Sequence, residues 1–319
     1  MTSKLEKLLL SADPELILAS HQVEFLQNML FEAYEPCLPP NASFSHRLQT
    51  WIENFSPTDS VTMYKFLNKL FFVGQREFEE LYRYAYNGPI ARWLIDKYCI
   101  KLDDPDGARK LSTAAQETWF CPISDSLRIN AFFHINKISA FADFRPDWRS
   151  LAKFSDLERV QSYISQKGVK NIVLLEDFVG GGSQLSEVQD ALLDYSRSLN
   201  ILICPLIICP EGAKNVSKLS KRIYVDFEPV LILNERAFVF PNQHTNELPE
   251  AAEVRKIILK TYPKVSFGSL PEAKPYTAFG FQETGGLVVM YSNTPDNTLP
   301  CIHHLSDEWA PLFLRHSRV

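Results

Sequence analysis

Between Asn171 and Gln184 the chain reads NIVLLEDFVGGGSQ, so that two adjacent acids stand just ahead of three consecutive glycines. A buried strand can carry two neighbouring carboxylates only where it meets solvent, a cation or a ligand, which makes Glu176 and Asp177 candidate site residues. The glycines offer a different chemistry. A glycine turn that joins a strand end to a helix start leaves several backbone N–H groups aimed at one spot, and the missing Cβ atoms let a bulky anion come close. Gly180, Gly181, Gly182, Ser183 and Gln184 are therefore candidate phosphate-binding residues. Two common phosphate loops are excluded. A Walker loop requires Gly-Lys followed by Ser or Thr, and no lysine occurs between Asn171 and Lys214. The dinucleotide fingerprint requires a glycine three residues past Gly182, where Leu185 stands.

The elements around this segment follow from its hydrophobic pattern. Ile172 to Leu175 form an unbroken apolar run, the signature of a strand buried on both faces in a parallel sheet. The acids fall at its carboxyl end, where the strand is expected to emerge toward solvent or a ligand, because an unpaired buried charge is costly. A helix from about Gln184 to Leu199, a strand from Ile201 to Ile208, a helix from about Glu211 to Arg222 and a strand near Val230 to Leu233 continue the pattern. That βαβαβ order implies a parallel sheet, with ligands at the carboxyl ends of its strands.

The first hundred residues read as helical. Leu48, Trp51, Ile52 and Phe55 recur at helical spacing, as do Met63, Phe66, Leu67, Leu70 and Phe71 after the capping segment Ser56 to Asp59. A further helical stretch from Gln75 to Tyr98 is expected to break at Gly88 and Pro89. The turn cluster DDPDG, Asp103 to Gly107, then marks a boundary, giving an N-terminal helical domain over 1–105 and an α/β domain over 106–319. Later segments read as a loop (240–249), a helix (251–262) and a strand (287–291).

An apolar strand, two acids, three residues and a small-residue turn together resemble the ribose-phosphate loop of the type I phosphoribosyltransferases. The resemblance implies that Glu176 and Asp177 hold the ribose hydroxyls of phosphoribosyl pyrophosphate, while Gly181 to Gln184 wrap its 5′-phosphate. It also implies Mg²⁺ bound largely by substrate oxygens, and displacement at the anomeric carbon. Gly181 and Gln184 stand where that family commonly has hydroxyl residues. An early loop binds pyrophosphate in the family, and Cys121 to Asn130, CPISDSLRIN, lies in the corresponding order, so Ser124 and Asp125 join the candidates. The same Ser-Asp-Ser pattern also suits a helix N-cap.

The EDFVGGGSQ loop, the helical N-terminal half and the C-terminal segment NTPDNTLP are similar to phosphoribosyltransferase-like proteins of bacterial conflict and antiviral operons. That similarity implies an effector or accessory protein with a defence partner, such as a reverse transcriptase or a nucleotide-signalling enzyme, and adds Asn293 and Asn297 to the site. Three functions remain open on these residues: a transferase, an inactive sensor or partner-binding module of the same fold, and a nucleotide-depleting toxin in which Asp177 activates water.

Composition bounds these readings. With 319 residues, 45% of them hydrophobic, the chain can bury a substantial core. A net charge of −5 argues against a general nucleic-acid coat, so direct nucleic-acid binding is not expected, and Lys214, Lys218, Lys221 and Arg222 read as a solvated helix face. Six scattered cysteines lack zinc spacing, and Cys204 and Cys209 read as small core residues in a reducing, cytoplasmic setting. His303 and His304 with Asp307 and Glu308 lack a third ligand at recognisable spacing, so no metal site is expected. The N-terminus does not read as a signal peptide, and no run of apolar residues is long enough to span a membrane.

Overall fold

The computed structural model describes residues 3–36, 43–101, 103–138, 157–187, 198–267 and 276–316. In chain order the strands are β1 (Phe71–Val73), β2 (Thr118–Pro122), β3 (Asn171–Val179), β4 (Asn200–Ile208), β5 (Asp226–Phe227), β6 (Leu231–Ile232), β7 (Tyr276–Thr277), β8 (Gly280–Phe281) and β9 (Val288–Met290). The chain divides into two compact units, one made of residues 78–234 and the other of residues 1–77 together with 235–319. The boundary expected at 105/106 falls inside the first of these. The other unit draws on both ends of the chain, an arrangement that a linear reading cannot express.

The 78–234 unit carries a five-stranded parallel sheet in the order β2-β3-β4-β5, with β6 also pairing with β4. This is the expected α/β architecture. β3 and β4 are apolar on both faces because both faces are covered: Ile172, Val173, Leu174, Leu175, Leu202 and Ile203 are all fully buried. On one face Ile172, Leu174, Ile201 and Ile203 form a core with Ala213, Val216 and Leu219 of the helix Pro210–Arg222. Pro210 starts that helix at a position where its missing N–H costs nothing. Lys214, Lys218 and Lys221 occupy its exposed side. Cys204 and Cys209 are buried, and burial raises both thiols, Cys209 to about 12. The helix after β3 begins at Ser183 and is described as far as Glu187; the rest of the expected helix lies outside the described residues.

Gly88 and Pro89 do not break the chain's helical course. Tyr86–Ile90 form a π-helical turn between the helices Gln75–Ala85 and Ala91–Lys97 and pack against β4. The wider turn accommodates the proline ring that an α-helical interior would exclude.

The 1–77 and 235–319 unit contains the helices Phe44–Glu53 and Pro57–Phe66, the latter capped by Ser56, whose Oγ accepts from Asp59 N. The helical period expected to run on through Phe71 ends at Phe66. Leu67–Lys69 make a 3₁₀ turn, and Phe71–Val73 become β1, paired in parallel with β9. Pairing with a distant strand overrides the local period. Trp51 and Trp309 both donate their indole N–H to the carbonyl of Cys301, at 2.8 and 3.0 Å.

An aromatic cluster closes this core, with the Phe313 ring 5.3 Å from Phe31, 5.2 Å from Tyr34 and 5.7 Å from Phe72, and the Arg47 guanidinium 5.3 Å above it. Removing such a ring leaves a cavity that rigid neighbours cannot fill. Phe313→Ala is expected to cost about 3–5 kcal/mol in denaturant unfolding; a loss below about 1 kcal/mol would show that the cluster is not a packing centre. His303 is also a core residue here. Its Nε2 meets the carbonyl of Thr298 at 3.1 Å, and burial pushes its pKa down to about 3, which keeps the ring neutral. Among the described residues no helix is long and apolar enough to cross a membrane.

Candidate functional site

β3 runs four residues past the expected end of its apolar stretch. Glu176 and Asp177 lie within it and do not emerge into solvent: they are 1% and 3% exposed. The segment after β2 offsets part of the cost of burying them. Pro122 pairs with Leu175, and Ile123 N donates to Leu175 O at 2.8 Å, so the chain leaves β2 directly beside Glu176. Ser124 then donates its backbone N–H to Glu176 Oε2 at 2.9 Å, and its hydroxyl meets Glu176 Oε1. Ser126 Oγ lies 2.7 Å from Asp177 Oδ1, 3.3 Å from Glu176 Oε1 and 2.6 Å from Ser124 Oγ. Phe178 N donates to Asp177 Oδ1 at 2.8 Å.

The Ser-Asp-Ser segment is therefore not a helix cap. The helix Ile129–Ile135 begins after Arg128, without a side-chain cap. Ser124 is brought to the acid pair as a direct partner, whereas Asp125 between the two serines is exposed. Ser126, named by the sequence only as part of this segment, touches both acids. No periodicity marked it, because Ser124 to Ser126 lie in a turn after β2.

Burial is the main reason that the Glu176 carboxyl is raised from its ordinary range, to about 8, with the neighbouring Asp177 charge adding to it and the Ser124 and Ser126 hydrogen bonds opposing it. Proton binding by this pair thus extends into the physiological range, a property common at functional sites.

The glycine turn follows β3 and rests on the first turns of the helix Pro210–Arg222. Gly182 has φ +87°, a left-handed conformation open to glycine. Asn215 Nδ2 donates to the Gly181 carbonyl at 3.1 Å. Gly212 lies against the turn so closely that a Cβ there would stand 2.1 Å from Gly180 O. Neither Gly212 nor Asn215 was singled out from the sequence. A glycine inside an otherwise helical pattern was the available sign, since it costs about 1 kcal/mol relative to alanine and so points to a close approach. The N–H groups of Gly181, Gly182, Ser183 and Gln184 find no acceptor among the described residues, and the Ser183 and Gln184 side chains are exposed.

Asn293 and Asn297 belong to the other unit, and their side chains are engaged within it. Asn297 Nδ2 donates to Thr284 Oγ1 at 2.9 Å, and Asn293 Oδ1 accepts from His316 N at 3.1 Å. Among the described residues no group of three or more His, Cys, Asp or Glu side chains is placed to hold a metal ion.

A parallel sheet with an acid pair and a glycine turn at the carboxyl end of one strand, met by a serine loop from the strand beside it, defines a phosphoribosyltransferase-like α/β protein. Residues 48–315 match the PRTase-CE family model, and the chain belongs to that family. No curated protein and no solved structure gives a significant match to it.

Proposed function

We propose that this protein binds a ligand containing ribose 5-phosphate, either phosphoribosyl pyrophosphate or a nucleotide. In this reading Glu176 and Asp177 receive the ribose hydroxyls and the N–H groups of residues 181–184 receive the phosphate. One observation carries it: a buried acid pair and a turn whose N–H groups meet no acceptor among the described residues follow one another at the carboxyl end of β3, where parallel sheets place their ligands.

The chemistry suited to this arrangement is displacement at the anomeric carbon, in which the bond to the pyrophosphate oxygen breaks and an incoming nucleophile bonds to the same carbon. Positive charge develops on the ribose ring, and in this reading the Asp177 carboxylate offsets that charge. Holding the remote phosphate on the turn fixes the position of the reacting carbon. The loop carrying Ser124 and exposed Asp125 stands beside the acids, as a pyrophosphate-binding loop requires. Magnesium in this reading is held by pyrophosphate oxygens and water, a mode that needs no protein cage, and when bound it stabilises the leaving group's charge. Asn293 and Asn297 enter on the family resemblance alone. The resemblance to conflict-operon proteins likewise supports a role as effector or accessory component of an antiviral module, with a partner encoded beside it.

With Mg²⁺, phosphoribosyl pyrophosphate and a panel of nucleobases, wild type is expected to release pyrophosphate, and Asp177→Asn to lose about 100-fold in rate. A second reading, a ligand sensor without turnover, is favoured by Gly181 and Gln184, which bring no hydroxyl to the phosphate turn. Absence of turnover in wild type with every base, alongside a thermal shift by ribose 5-phosphate, would select the sensor. Absence of any shift by ribose phosphates or nucleotides would overturn both.

A further inference from the structure

We propose that Glu176, Ser124, Ser126 and Asp177 form a proton relay in which the ligand-free acid pair holds one proton, and that a ribose diol binding to both carboxylates releases it. The second half rests on the ligand reading above; the first half does not.

The site has more short oxygen contacts than its serines have protons. Three contacts link the four side chains in a row: Glu176 Oε1 with Ser124 Oγ, Ser124 Oγ with Ser126 Oγ at 2.6 Å, and Ser126 Oγ with Asp177 Oδ1 at 2.7 Å. Each contact this short needs one hydrogen between its oxygens. The two serines supply two. If both acids were ionised, each serine would donate to its own carboxylate, and the contact between the serines would press lone pair against lone pair. One further proton, on a carboxyl, satisfies all three.

The surroundings decide where it resides. Asp177 Oδ1 already accepts from Phe178 N at 2.8 Å as well as from Ser126, so it is the better place for negative charge. Glu176 Oε1 then donates to Ser124, Ser124 to Ser126 and Ser126 to Asp177. Glu176 Oε2, the carbonyl oxygen of a neutral acid, accepts from Ser124 N. Asp177 is the charged group that raises Glu176 beyond the effect of burial. Across the ladder on β4 stands Pro205, which carries no charge, and Asp125 on the serine loop is exposed.

Release runs along the same row. The Glu176 O–H bond breaks as Ser124 takes the proton and passes its own to Ser126, which passes its own to Asp177. Asp177, beside half-buried Ser126, then gives this proton up to the buffer once ligand hydroxyls donate to both carboxylates. Hydroxyl donors favour the ionised acids, so the net change is one proton lost with no other bond altered.

Infrared spectroscopy of the ligand-free protein at pH 7 is expected to show the C=O stretch of a protonated carboxyl, lost in Glu176→Gln. In Asp177→Asn, where the adjacent charge is gone, the band should titrate at lower pH than in wild type. A wild-type spectrum without the band overturns the relay. Calorimetry with ribose 5-phosphate in buffers of different ionisation enthalpy should show wild type releasing about one proton more than Glu176→Gln. Heat of binding with equal proton release in both overturns the coupling. No heat of binding, with the infrared band present, overturns the ligand reading and supports the resident proton.

Discussion

Glu176→Gln is expected to raise the stability of the protein at alkaline pH, although it removes a residue from the centre of the site. The Glu176 carboxyl is raised in the folded state from 4.5 to about 8. Between those values the folded protein holds a proton that the unfolded chain has released, so stability falls as pH rises through the window and levels off above it. Below about 4.5 both states are protonated and the acid costs nothing. Glutamine keeps the shape and an acceptor for Ser124 N without a charge to desolvate. The two melting curves should therefore coincide in acid and separate progressively toward alkaline pH, with the variant about 4 °C or more higher at the top. Melting temperatures that run parallel across the range would show that burial of Glu176 imposes no charge penalty. The gain should come with weaker binding of ribose 5-phosphate, because a carboxylate accepts hydroxyl donors better than an amide does. Stability given up at a binding site in this way is a common pattern.

Gly212→Ala should weaken phosphate binding by about 100-fold, because its Cβ displaces the glycine turn. Alanine is preferred over glycine in a helix by up to about 1 kcal/mol, so the helix Pro210–Arg222 does not suffer from the change itself. The difficulty lies in the Gly180 carbonyl, which would stand 2.1 Å from the new Cβ and is backbone, unable to rotate aside as a side chain could. The turn must move, and with it the N–H groups of residues 181–184. A misplacement of about 1 Å in a positioning element can cost on the order of 100-fold, and a loss of that size in ribose 5-phosphate affinity is expected by calorimetry, with a lower melting temperature as the turn is displaced. Asn215→Ala, which removes one hydrogen bond to the Gly181 carbonyl, should cost about 1 kcal/mol, or roughly fivefold. Lys214→Ala, on the exposed side of the same helix, should change nothing. Undiminished binding by Gly212→Ala would place the phosphate somewhere other than this turn.

Much of this site was legible before the structure. The run Ile172 to Leu175 could be read as a buried parallel strand because a strand covered on both faces leaves no polar position in its pattern. The glycine turn could be read because three glycines in succession have few structural uses. The ends of elements were less legible. β3 continues through Val179 because Ser124 and Ser126 satisfy the two acids, so a carboxylate pair that looked like an exit from the core is a buried part of it. Phe71 kept the helical period of its neighbours yet entered a strand, because β9 supplies hydrogen bonds that local propensity does not contain.

The sequence by itself determined the parallel α/β core, the acid pair and the turn, since these depend on residues within a few positions of each other. Only the tertiary structure decided what surrounds them. Serines from β2's end meet acids on β3, Gly212 and Asn215 seat the turn, and the chain's two ends combine in one unit with β1 beside β9. The physical reason is shared. Burial and close contacts between residues far apart in the chain leave no periodicity behind, yet burial raises the Glu176 carboxyl and the contacts shape the turn.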